Sequence, residues 1–381
     1  GIGSMVVVEM NEAASGASGR NEGVVVMGRF FSYVKEMMLD DLLETRPDLT
    51  NDERVELAQK FAEKYVRAAY KNADMIEKTI RKEKYEVEYI RAGWVENFDD
   101  RQDYIDESIK ESEDFGFDDW TKLSPREVQE ISGIEAKKYN GFSKSAATWN
   151  PAKWVWALLS TAILSDKVSF FSNTRVDEIA DNGNNYAVHT TRGTIQTKYL
   201  INATESYAAN LHPQFIDKLW PLQTQAAFAE GGPSTIKQGV AMGGANSWFG
   251  KHQGGIFMGS DGTRVHHTRA GYINPSRFIT KYIISDIQDS FVHSPMHVTR
   301  EWSCTAGFTK DEYPIIGLID GKRQYIIAGM CGSGSSVHFN GARHVIQKIL
   351  GIQSQDDYPE EFFSPTRILE PKSHKWPSLD G

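Results

Sequence analysis

Two short stretches within the first two dozen residues constrain this chain more than anything else in it. Val6-Val7-Val8 is a β-branched apolar run closed by the acidic Glu9, and the small-residue series Ser15-Gly16-Ala17-Ser18-Gly19-Arg20-Asn21-Glu22-Gly23 follows. The first reads as a buried parallel strand, whose C-terminal carboxylate is where a dinucleotide-binding sheet bonds a ribose hydroxyl. The second leaves backbone N–H groups uncovered for close approach to a ligand, since Gly, Ala and Ser carry little side chain and Gly accepts positive φ. In such sheets the acidic residue lies about 20 residues after a G-x-G-x-x-G turn. Here the Glu9 carboxylate comes too early for that. Gly1-Ile2-Gly3 therefore reads as the turn before a second strand, and a strand and helix of about 30 residues are expected ahead of it. Without that unit the sheet would lack its central strand and nucleotide affinity would collapse.

At 381 residues the chain exceeds the size at which one hydrophobic core usually suffices, so two lobes are expected. The net charge of −9 argues against nucleic acid as a partner, because phosphate binding is driven by Lys and Arg. No apolar run approaches the ~20 residues of a membrane span. Only Cys304 and Cys331 occur, a sparse usage that fits a reducing, cytoplasmic setting, with one disulfide between them as the minor alternative.

Further along, Thr50 and Glu53 form a capping-box pattern ahead of a long helical period over residues 51–83, with Val55, Ala58, Phe61, Tyr65, Ile76 and Ile80 on its apolar face. Residues 85–96 alternate like a strand, and the acidic stretch Asp99 to Asp119 reads as a surface helix and loop. Ser124-Pro125 and Asn150-Pro151 are helix starts, the latter opening a stripe of Val155, Leu158, Leu159, Ala162 and Ile163. Short strands follow at 168–171, 175–179 and 186–190, and 199–204 ends in small residues as a strand does when its carboxyl edge faces a ligand. The segments 254–258 and 263–267 read as a hairpin about an Asp261-Gly262 turn. His266 and His267 face opposite sides of a strand, which leaves no metal pair. Near the C-terminus, Ile326-Ile327-Ala328 feeds Gly329, Gly332 and Gly334 and then a helix through Val345 and Leu350, aiming N–H groups and a positive helix end at an anionic ligand edge.

The ordered set Val-Val-Val-Glu, Gly-Ala-Ser-Gly-Arg-Asn-x-Gly, Pro151-Ala152-Lys153, Thr174-Arg175-Val176, Ala203-Thr204, Phe308 to Gly317 and Tyr325 to Gly334 resembles the FAD-dependent amine and amino-acid oxidoreductases related to D-amino-acid oxidase and sarcosine oxidase. The resemblance runs from Val6 to about Leu350 and implies an α/β (α+β) two-lobed fold, a Rossmann-like FAD-binding lobe with an antiparallel-sheet substrate lobe. Residues 1–84, 146–215 and 301–370 would build the FAD-binding lobe, 85–145 and 216–300 the substrate lobe, and 371–381 a tail. Glu9 would bind the adenosine ribose, and Val176 the adenine through its backbone. Ser15, Gly16, Ala17, Ser18, Gly19, Arg20, Asn21 and Gly23 would line the pyrophosphate and flavin. Ala203, Thr204, Asp311 and the loop Gly329, Met330, Gly332, Ser333 and Gly334 would complete the cofactor contacts.

The same resemblance implies oxidation of a C–N bond in a small-molecule amine or amino acid, with hydride passing to flavin N5 and water hydrolysing the imine. Cys304 falls where sarcosine oxidases carry the cysteine that links covalently to flavin, while many relatives have glycine there. Arg264 falls near the lysine that the sarcosine-oxidase group uses with oxygen, and a guanidinium does not mimic an ammonium point charge. Arg20, Arg29 and Arg264 are the candidate contacts for a substrate carboxylate. Glu22 adds a carboxylate at a position usually glycine. No H-E-x-x-H, nucleophile elbow, Walker loop or C-x-x-C occurs, which removes support for hydrolase, zinc-enzyme and kinase readings. The competing expectation is a non-catalytic or cofactor-deficient member of the same fold.

Overall fold

The opening apolar run does form a strand. In the computed structural model, which describes residues 3–27, 31–97, 102–136, 140–244, 247–267, 270–271, 274–290, 294–319, 321–353 and 358–378, Met5–Val8 pairs in parallel with Val168–Phe171, Val7 opposite Phe170. It has one strand neighbour among the described residues, and Met5 and Val6 are 37% and 43% exposed, so the expectation of a buried strand is corrected to an edge. A second parallel pair, Leu200–Asn202 with Gln324–Ala328, is extended by the antiparallel Ile315–Leu318. A meander of Val176–Asp181, Tyr186–Thr190 and Gly193–Thr197 makes a separate small sheet.

Helix Asn51–Glu83 is the spine of this half. Thr50 accepts from the Glu53 N–H while the Glu53 carboxylate accepts from the Thr50 N–H, and Lys84 ends the helix in the left-handed conformation. Ala58, Phe61, Ala62, Tyr65, Ala69, Ala73 and Ile76 are buried on one face, but Val55, in the first turn, is 47% exposed. Asn72 ties this helix to Gly334–Leu350, donating to the Ser335 carbonyl at 2.8 Å and accepting from the Asn340 N–H at 2.9 Å. The glycine-rich turn before Gly334 is thereby held against the spine. Helix Pro151–Ile163 starts at Asn150 as expected; Trp154 is its one fully buried residue, while Val155, Leu158, Leu159 and Ala162 of the apolar stripe are half-buried and Ile163 is exposed.

The other half is an eight-stranded sheet ordered Met296–Thr309, Leu219–Gly231, Gly255–Arg264, Ser247–His252, Ala241–Gly243, Trp94–Asn97, Asn140–Ser143, Trp120–Leu123. One face packs Ala227, Met242, Phe249 and Met258 against Val128, Ile283 and Ile287 of two helices, Pro125–Ser132 and Arg277–Ser290. The opposite face turns Trp94, Ala241 and Phe257 toward the core around the spine.

Three sequence expectations change here. Residues 85–93 are irregular, because Glu88 and Gly93 take positive φ of 59° and 108°, and only Trp94–Asn97 is a strand. Asp261 and Gly262 lie inside the continuous strand Gly255–Arg264, where the register shifts opposite Gln223–Gln225, and the turn falls instead at Gln253–Gly254. Of the acidic stretch, Gln102–Asp114 is a helix that buries Tyr104, Ile105, Ser108 and Glu111, whereas residues 99–101 lie outside the described residues. Cys304 and Cys331 are both free and buried, so no disulfide joins them. Among the described residues no helix is long and apolar enough to cross a membrane.

Candidate functional site

The loop after Met5–Val8 closes on itself. The Glu9 carboxylate accepts from the Asn11 N–H at 2.9 Å, its carbonyl accepts from the Thr174 N–H at 2.8 Å, and Asn173 N–H reaches the Asn11 carbonyl, which brings Glu9 beside the chain leading to Val176. Ala17–Arg20 is a single helical turn. A Cβ on Gly19 would stand 2.2 Å from the Ala14 carbonyl oxygen, so glycine is what allows the turn to fold down. Asn21 then seals it, donating to the Ala17 and Ser18 carbonyls and accepting from the Gly23 N–H at 2.9 Å. Gly16 has open space where a side chain would be, and the Ser15 hydroxyl is buried with no partner among the described residues.

The C-terminal glycine loop is shaped by positive φ at Gly329, Cys331 and Gly332 (63°, 50° and 75°), with Ser333 preceding the helix that opens at Gly334. Its donors do not all face outward as the sequence suggests. The Met330 N–H is taken by the Glu205 carboxylate at 2.8 Å, and the other Glu205 oxygen accepts from the Gly307 N–H. Burial pushes the Glu205 carboxyl up to about 7 against these N–H bonds. Glu205 escaped the sequence reading; its signal was a carboxylate directly after Ala203-Thr204, at a position whose φ is +53°. Ala203 is exposed, and both the N–H and hydroxyl of Thr204 bind Asn202 Oδ1, leaving the buried Asn202 Nδ2 without a partner among the described residues.

Asp311 is placed differently from the expectation. It is 1% exposed, and its oxygens accept from the Arg367 guanidinium, the Thr309 hydroxyl and the Tyr313 N–H, so it clamps the turn between two strands and offers nothing to a ligand. Arg264 is exposed and stacks its guanidinium 4.4 Å from the Trp220 ring centroid. Arg29 lies outside the described residues.

Both loops lie against the strand Met296–Thr309, the glycine loop through the Cys331 N–H on the Gly307 carbonyl and the opening loop through Arg20. Arg20 donates to the Ser303 carbonyl at 3.3 Å, and the Trp302 indole donates to the Arg20 carbonyl at 2.6 Å. Next to them Cys304 shares a 3.2 Å contact with the Thr224 hydroxyl. Its thiol is raised to about 11, by burial first and then by the charge of Glu22, while Thr224 and Arg20 oppose the shift. Glu22 itself lies against Gly259, whose missing Cβ would otherwise sit 2.4 Å from Glu22 Oε1 and 2.6 Å from Trp248 Nε1. Burial raises the Glu22 carboxyl to about 7, partly offset by a backbone hydrogen bond and the Trp248 indole. A surface groove of about 1010 Å³ between Phe31–Thr45 and residues 371–378 includes none of these residues. Among the described residues no group of three His, Cys, Asp or Glu could hold a metal.

The whole arrangement has close structural counterparts. Glycine oxidase from Geobacillus kaustophilus superposes with a TM-score of 0.72 at 15% identity, covering 95% of this chain and 91% of that one. L-amino acid deaminase from Proteus vulgaris gives 0.71 at 16% identity over 95% and 90% of the two chains, and iminodiacetate oxidase from Chelativorans sp. BNC1 gives 0.70 at 15% over 94% and 92%. At this identity the likeness is one of fold. No curated protein matches at the sequence level. The family model described as FAD dependent oxidoreductase (DAO) matches residues 1–348, and with nine-tenths of its length so covered the chain belongs to that family of FAD-dependent oxidoreductases.

Proposed function

We propose that the chain oxidises a C–N bond of a small amine or amino acid. The cofactor follows from the family, and the donor chemistry of the two loops fits it: the buried, unpartnered Ser15 hydroxyl and Asn202 Nδ2 are polar atoms in want of a ligand. On this reading Glu9, residues 15–21 and Gly23, Val176, Ala203, Thr204 and the Gly329–Gly334 loop hold FAD. Bound FAD supplies the two-electron oxidant. The chain's own residues orient the amine, shed its water and manage its proton.

The observation that carries this reading is the slot where loop 15–23 faces the wide sheet. Trp248, Gly259, Ala226 and Trp302 are successive cross-strand neighbours, so two indoles flank two small residues on one face, with Glu22 and Arg20 entering from the loop. Glycine and alanine keep that face low where the Glu22 carboxylate stands, and burial raises both Glu22 and Cys304. The relatives named above are described as acting on amino acids or iminodiacetate, which agrees with an amine substrate.

A visible spectrum of the purified protein, before and after adding FAD, should show flavin bands. Anaerobic mixing with a panel of N-methyl amino acids, D-amino acids and polyamine derivatives should bleach them for at least one member. If every amine leaves the flavin oxidised, C–N oxidation is wrong. A cofactor-deficient member of the fold is the second reading, favoured by Glu205 occupying the Met330 N–H; absence of flavin bands after FAD addition would select it.

A further inference from the structure

We propose that Glu22 is the base that meets the substrate's nitrogen, binding the amine as its ammonium ion and taking one proton from it before oxidation. This rests on the C–N oxidation reading. An alkylammonium carries no lone pair, and only the neutral amine can give up hydride from its α-carbon. The step balances as ammonium plus Glu22 carboxylate giving neutral amine plus Glu22 carboxylic acid, with the proton moving from nitrogen to a carboxylate oxygen.

Three observations converge on Glu22. Its carboxylate stands over Gly259, where any side chain would displace it, so the sheet leaves that space to a loop carboxylate. Its carboxyl is desolvated and accepts from the Trp248 indole, and among the described residues no Lys or Arg pairs with it. A buried carboxylate without a cation is costly, and a ligand cation relieves that cost. The walls suit such a ligand: Trp248 and Trp302 stand three strand spacings apart, about 14 Å between backbones, with Gly259 and Ala226 between them. The Trp248 indole N–H bonds the Glu22 carboxylate and the Trp302 indole N–H the Arg20 carbonyl, so both rings border the loop that carries Glu22.

The electrostatic surroundings leave Glu22 free to titrate near neutrality. Among the described residues, Arg20 lies on its own loop, Cys304 on the adjoining strand feels Glu22, Arg20 and Glu205, Tyr207 lies on the turn beyond Cys304, and Glu96 stands in the same cross-strand row beyond Trp248 and Gly243. Cys304 stays a thiol below about 11, and the Tyr207 hydroxyl is raised by burial, the charge of Glu9 and that of Cys304. Glu205, held by backbone N–H groups, and Glu96, beside the Trp94 indole, titrate in the same range as Glu22, so a variant is needed to separate them.

tert-Butylamine is a suitable probe, because it has no α-hydrogen and cannot be oxidised. Its binding to the FAD-loaded protein is followed by perturbation of the flavin spectrum and by calorimetry. Since the ammonium must find Glu22 ionised, affinity should rise about tenfold from pH 6 to pH 8 as a carboxyl titrating near 7 loses its proton. Glu22→Gln should bind at least tenfold more weakly at pH 8, lose most of that pH dependence, and keep the FAD spectrum of the parent. Calorimetry in two buffers of different ionisation enthalpy adds a second readout: the unmodified protein should release a proton on binding at pH 6 and almost none at pH 8, and Glu22→Gln should lose that release. Equal binding by Glu22→Gln, or binding at pH 6 without proton release, overturns the assignment of Glu22. If amines bleach the flavin while either of those results holds, only Glu22 falls; if no amine bleaches it, the C–N oxidation reading falls instead.

Discussion

Cys304 illustrates how position, and not residue type, decides chemistry. Attack on a flavin ring needs a thiolate, and burial together with the nearby Glu22 keeps this thiol protonated up to about 11. The FAD is therefore expected to be non-covalent: acid precipitation of the FAD-loaded protein should leave the yellow chromophore in the supernatant, and colour retained in the pellet would overturn this. Asp311 makes the complementary case. Its partner Arg367 is itself fully buried, and the guanidinium also donates to the Pro314, Phe362 and Tyr313 carbonyls. Arg367→Met leaves an uncompensated buried carboxylate, and urea unfolding should report a loss of about 3–5 kcal/mol. A loss under 1 kcal/mol would show that the turn does not depend on the pair.

Among the elements, the long helix matters most to the site, because Asn72 fastens the helix that follows the glycine loop. Thr50→Ala removes one side of the capping box and should cost about 1 kcal/mol, read as a shift in the urea midpoint at unchanged slope. Asn72→Ala acts differently, freeing the buried Asn340 N–H and the Ser335 carbonyl. It should weaken FAD binding in a fluorescence titration more than Thr50→Ala does at equal loss of stability. Equal effects on FAD would mean that the helix contact does not set the loop.

Over the whole molecule the balance of buried acids gives stability a sign in pH. Glu22, Glu96 and Glu205 are each raised from 4.5 to about 7, chiefly by burial, and Asp41 to about 6 by burial and the charge of Asp311. The fold holds these protons where the unfolded chain has released them. The contribution of the three glutamates is complete below their unfolded value of 4.5 and is lost as pH rises through about 7, at most about 3 kcal/mol per carboxyl. Glu360, drawn down to about 2 by His344 and Lys348, works in the opposite sense only in stronger acid, as pH falls below its unfolded value of 4.5. The Tm of the FAD-free protein should therefore rise between pH 8 and pH 6. Glu96→Gln, which keeps the partner position of the Trp94 indole filled, should flatten that rise. A Tm that falls on acidification across this range would refute the account.

How much of this was legible in the sequence differs by the range of the interactions involved. Local signals were decisive wherever the responsible contacts lie within a turn or two: the Thr50–Glu53 box, the Ser124-Pro125 and Asn150-Pro151 starts, and the glycines that let the 15–23 and 329–334 loops fold. The order of those motifs was enough to indicate the family. What the sequence could not order was anything set by residues hundreds of positions apart. Glu205 meets Met330 and Gly307, Asp311 meets Arg367, and Glu22 meets Gly259 only because strands bring them together. A carboxylate in a sequence is a charge of unknown surroundings. Tertiary packing, by stripping its water and choosing its neighbours, decides whether it is a clamp, a plug or a base.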